Sequence, residues 1–73
     1  MSVDVTRVLL AVRGMDTVAA RDKVIAAVSQ VAGVQAVESA GEGQLWVRYD
    51  PGVATVMDMI RAARRLGFLA GMG

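Results

Sequence analysis

Residues 5–13, Val-Thr-Arg-Val-Leu-Leu-Ala-Val-Arg, are dense in branched side chains and predict a strand. Side chains alternate across a strand, so Val8, Leu10 and Val12 share one face and Arg7, Leu9, Ala11 and Arg13 share the other. The first face reads as core and the second as partly wet. Gly14-Met15-Asp16-Thr17 breaks this pattern; Gly14 suits a tight turn, and Asp16 or Thr17 can cap the next element. From Thr17 to about Val31 the period becomes helical, with Ala20, Val24, Ala27, Val28 and Val31 on one stripe. Gly33 is placed to stop that helix. Val34–Ala40 predicts a second strand, Gly41-Glu42-Gly43 a hairpin turn, and Gln44–Asp50 a third strand. In the third strand Leu45, Val47 and Tyr49 face one side, Trp46 and Arg48 the other. Asp50-Pro51-Gly52 ends it, because proline and glycine leave no ladder to continue. Val53–Leu66 predicts a second helix with Val56, Met59, Ile60 and Ala63 as its apolar stripe. Arg61, Arg64 and Arg65 crowd its C-terminal half, where positive charge suits the macrodipole. Gly67 caps it, Phe68-Leu69-Ala70 is a short last strand, and 71–73 is a tail.

The element order is β-α-β-β-α-β. Two β-α-β halves joined by a hairpin define an α+β, ferredoxin-like sandwich, with two helices on one face of a four-stranded antiparallel sheet and the other face open. At 73 residues the chain has room for a single domain, spanning 1–73 with its core over about 5–70.

Composition narrows the chemistry. The chain has no cysteine and no histidine, which removes disulfides, thiolate nucleophiles, imidazole bases and the strong soft-metal ligands. It has no asparagine either, which counts against an acylphosphatase-type enzyme of the same topology; the expectation is a non-enzymatic domain. Eight basic and seven acidic residues give a net charge of +1, too little for bulk nucleic acid or an anionic membrane surface. No apolar run approaches the 18 residues of a membrane span, and Met1-Ser2-Val3-Asp4 lacks the start of a signal peptide, so the reading is a cytoplasmic domain with no inserted segment.

Val8-x-Leu10-x-Val12-x-Gly14-Met15-Asp16 opens a longer pattern. It is followed by a helix carrying Val24 and Val28, then Gly33-Val34, Val47-Arg48-Tyr49-Asp50-Pro51, and Gly67-Phe68. In that order and spacing, over residues 5 to 70, the chain resembles the heavy-metal-associated domain family. That family includes copper chaperones, the periplasmic mercury-binding protein and the N-terminal modules of metal-exporting P-type ATPases. The resemblance implies the ferredoxin-like fold and a place in a metal transport system. Its partner would be a metal-transporting ATPase or a chaperone-type domain. The family places two metal-binding cysteines in a G-M-x-C-x-x-C motif at this turn. Here those positions are Thr17 and Ala20, a neutral hydroxyl and a methyl group. Two thiolates make the family's site for soft cations, so what the resemblance implies here is a degenerate site.

Asp16 resembles the aspartate that helps zinc, cadmium and lead exporters hold a divalent ion. With the Thr17 hydroxyl it would make a weak Zn(II) or Cd(II) site, about micromolar or weaker. The alternative is that Asp16 or Thr17 simply caps the helix. Gly14, Met15, Ala20 and Phe68 are the loop's supporting residues in the family. Met15 reads as core, not as a thioether ligand, and Phe68 as an aromatic beneath the loop.

Trp46 is the least expected residue. In the ferredoxin-like order strand 3 lies beside strand 1, which puts Trp46, Arg48 and Leu9 on the open face as a half-apolar patch with basic edges. That is a candidate partner-binding surface. The plainer reading is a tryptophan lying over arginine stems. RNA-recognition motifs use this face to stack bases, but one aromatic and a net charge of +1 argue against nucleic acid. Strands 2 and 4 are sheet edges, and Glu38-Ser39 puts a polar residue on the inward face of strand 2. A small-ligand-sensing regulatory domain of the same topology is the alternative function, with turn 13–17 as its site.

Overall fold

The computed structural model describes residues 5–72. Its elements are β1 (Thr6–Arg13), α1 (Val18–Ser29), β2 (Val34–Gly41), β3 (Gln44–Tyr49), α2 (Val56–Arg65) and β4 (Leu69–Met72). The strands form one antiparallel sheet in the order β2-β3-β1-β4, with both helices packed on one face. This is the ferredoxin-like sandwich expected from the sequence.

The core is what the alternation predicts. Val8, Leu10 and Val12 of β1 and Leu45 and Val47 of β3 meet Val24 and Val28 of α1 and Met59, Ile60 and Ala63 of α2. Among the described residues no polar or charged side chain is buried. The β1–β3 register sets Leu9 opposite Trp46 and Arg7 opposite Arg48. The β2–β3 register sets Val37 opposite Val47, Glu38 opposite Trp46 and Ser39 opposite Leu45. Ser39 therefore belongs to the helix side of the sheet, yet it is exposed, lining an open groove beside the start of α1, which accounts for a polar residue at this position of the edge strand.

Several boundaries differ from expectation. α1 ends at Ser29 with Gln30 as its C-cap, short of Val31, and Gly33 does not stop it. Gly33 has another task. Its φ of +93° falls in the left-handed region, and a Cβ there would lie 2.8 Å from Val53 Cβ and 2.9 Å from the Ala54 nitrogen. Its carbonyl accepts from Asp50 N–H at 2.8 Å, so the start of β2 is clamped to the loop before α2.

α2 begins at Val56, not Val53. The Asp50 carbonyl accepts from both Val53 and Ala54 N–H, and the Asp50 carboxylate accepts from Gly52 N–H at 2.8 Å. This turn holds 53 and 54 out of the helix until Thr55 caps it. At the other end Gly67 N–H donates to Arg64 O and Phe68 N–H to Ala63 O, the paired bonds of a Schellman ending. The last strand runs over 69–72, because Met72 pairs with Leu10 and Gly71 with Ala11; those two residues are strand, not tail. Residues 1–4 and Gly73, including the reading of the N-terminal start, lie outside the described residues.

Candidate functional site

The loop leaving β1 is built by close packing. Gly14 turns at φ +91°, and a Cβ there would sit 3.3 Å from the Phe68 ring. The Schellman ending of α2 delivers that ring, so the two distant glycine-marked turns meet at one point. Met15 drops into the core, only 7% exposed. Asp16 and Thr17 are exposed, and Ala20 is half-buried.

Thr17 is the N-cap of α1, with an extended backbone at φ −120°, ψ 160°. Its hydroxyl oxygen accepts from Ala20 N–H at 3.1 Å. The choice between Asp16 and Thr17 as cap thus falls to Thr17, and its hydroxyl is in use. Around the loop, Met15–Val18, Arg21, Ser39 and the 41–43 turn line a shallow groove of about 330 Å³. Val18 is 63% exposed at its mouth. The first helical turn holds no acidic residue.

These donors do not fit a soft cation. Such an ion wants two thiolates, and the two positions supply one capping hydroxyl and one methyl. Asp16 alone cannot complete a divalent site, and among the described residues no three His, Cys, Asp or Glu side chains gather into one.

Trp46 points to the open sheet face and is 39% exposed. The Arg7 guanidinium lies over its ring, 5.1 Å from the centroid, a cation–π contact. Val5, Arg7, Ala36, Glu38, Trp46 and Arg48 enclose a depression of about 390 Å³. Trp46, Arg48 and Leu9 lie on this face as the sequence predicts. The structure adds Arg7 and Glu38 to the candidate set. Arg7 and Leu9 share a face by alternation, a signal available in the sequence; Glu38 needs the β2–β3 register, which a bulge near Gln35 displaces.

No family model matches the chain, and no curated protein matches it. Solved structures do. Oxidised MerP from Ralstonia metallidurans CH34 is 28% identical with a TM-score of 0.88, over 94% of this chain and 97% of that one. The copper-binding domain of HMA7, a P-type ATPase, is 26% identical with a TM-score of 0.86, over 92% of each chain. The CopZ metallochaperone is 27% identical with a TM-score of 0.84, over 90% of this chain and all of that one. The class these define is the metal-binding domain of chaperones and transporters. The resemblance read from the sequence stands: these structural neighbours are of the heavy-metal-associated type, and this chain has no cysteine. No helix among the described residues is long and apolar enough to cross a membrane.

Proposed function

We propose that the chain is a non-catalytic, cytoplasmic binding module of a metal-trafficking system whose own ion site is degenerate. It works by contact with a metal-transporting ATPase or a chaperone-type domain and does not carry the ion itself. One observation supports this most: at the two positions that define the family's site, Thr17 spends its hydroxyl on Ala20 N–H, while Ala20 offers only a methyl group. The scaffold around them is retained down to the Gly14–Phe68 contact. Of the Asp16–Thr17 pair expected to hold Zn(II) or Cd(II), only the Asp16 carboxylate is left as a weak residual ligand, since the Thr17 hydroxyl caps α1.

Amide NMR titrations with Zn(II), Cd(II) and, anaerobically, Cu(I) test this. The expected result is no saturable change with Cu(I). Zn(II) or Cd(II) gives at most weak shifts confined to 14–20 and 67–69, which Asp16→Ala removes. The double substitution Thr17→Cys, Ala20→Cys restores saturable Cu(I) binding on the same fold. Saturable binding of Cu(I) by the unsubstituted chain at about micromolar or tighter overturns the degenerate-site reading.

A further inference from the structure

Two arginines stand directly opposite each other on the open sheet face. Arg7 of β1 and Arg48 of β3 are cross-strand partners, and like charges so placed destabilise a sheet. Arg7 is drawn over Trp46, which orients its charge without neutralising it. Among the described residues the one carboxylate on this face, Glu38, lies opposite Trp46 on β2 and not opposite either arginine. With Arg13 farther along β1, the face holds three arginines against one glutamate, although the whole chain is nearly neutral.

We propose that the Arg7–Arg48 pair with Trp46 is a docking site for an acidic segment of a partner protein, its carboxylates on the two guanidiniums and an apolar side chain against the indole. The proposal rests on the reading of the chain as a contact module and names the chemistry of its partner. Charge complementarity selects the occupant. A second copy laid on this face would set arginines against arginines, whereas carboxylates relieve the repulsion the free fold carries. Arginine suits the role because its planar fork binds a carboxylate through two parallel hydrogen bonds. The arginines of α2, Arg61, Arg64 and Arg65, are also exposed. Among the described residues no aromatic ring is stacked with them, and two of them sit in the helix's last turn, where they complement its dipole.

The test is an amide NMR and tryptophan-fluorescence titration of the intact chain with a short peptide of Glu and Leu. A Lys and Leu peptide of equal length and a mixed-sequence single-stranded oligonucleotide serve as controls. The expected result is saturable shifts at 5–9, 36–38 and 46–48 with the acidic peptide alone, weakening as salt is raised. Arg48→Thr should weaken binding about tenfold or more while raising the chain's own denaturation midpoint, a gain in stability that a merely structural arginine would not give. Arg7→Thr should weaken binding similarly and shift the emission of Trp46 in the free chain. Absence of shifts, shifts centred on α2, or equal binding of the oligonucleotide at this face overturns the proposal. Because the degenerate-site reading is decided by metal titration alone, the two fail independently.

Discussion

The two helices begin in the same way and are finished differently. Thr17 caps α1 at φ −120°, ψ 160°, and Thr55 caps α2 at φ −119°, ψ 160°. Each hydroxyl accepts from the backbone N–H three residues on: Ala20 at 3.1 Å, Asp58 at 3.3 Å. At α2 the bond is reciprocated, because the Asp58 carboxylate accepts from Thr55 N–H at 3.1 Å and closes a capping box. At α1 the third residue is Ala20, and nothing returns. α2 also carries an acid in its first turn and arginines in its last, whereas α1 has neither. The half-made start is the one that falls where the family places its metal loop. With Thr17 and Ala20 there, α1 has one cap bond, and Val24 and Val28 anchor it in the core.

That contrast can be broken most strongly with metal. Thr17→Cys, Ala20→Cys should turn the half-made start into the better anchored one when a soft ion is bound. At a free Cu(I) level about a thousand times the dissociation constant, folding gains about 4 kcal/mol, read as a rise in thermal midpoint that the unsubstituted chain does not show. Next in size is Thr55→Ala, which removes the hydroxyl half of the box and frees the Asp58 partner. It should cost about 1–2 kcal/mol in urea unfolding at unchanged slope. Thr17→Ala removes a single bond at an exposed site and should cost less, about 0.5–1 kcal/mol by the same measurement. If Thr17→Ala costs more than Thr55→Ala, the reading of α1 as the less finished start is wrong. The smallest effect runs the other way. Ala20→Glu supplies the missing box partner and a negative charge near the positive end of α1, and should stabilise by about 0.3–1 kcal/mol, read from the same urea unfolding.

Most of the fold is legible in the sequence because its signals are local. Branched alternation marks β1 and β3, the helical stripe of Val24 and Val28 marks α1, and Asp50-Pro51-Gly52 marks the turn. α2 starts three residues later than its apolar pattern predicts, although Thr55-x-x-Asp58 is a box-like signal in plain view. The apolar Val53-Ala54 looks like helix, and the Asp50 carbonyl's hold on both N–H groups is what keeps them out. Proximity alone assigns Gly33 to the end of α1. Its true constraint is contact with Val53 and Ala54, some twenty residues on, which no local pattern records. The last strand outruns its sequence signal because Gly71 and Met72 have weak strand character of their own and are held by pairing with Ala11 and Leu10.

The candidate sites divide in the same manner. The sequence alone determined that Thr17 and Ala20 stand where the resembled family writes its two cysteines, since that is a matter of spacing from Gly14-Met15. It also determined that Trp46 and Arg48 face away from the helices, since alternation has period two. The tertiary structure decided which of Asp16 and Thr17 caps α1, because that depends on whose oxygen reaches Ala20 N–H. It decided that Phe68 meets Gly14, because the ring is delivered by the ending of α2. And it decided that Arg7 faces Arg48 across the ladder and lies over Trp46, because register between strands joined only through the rest of the fold is set by the whole core packing at once and is written in no single segment.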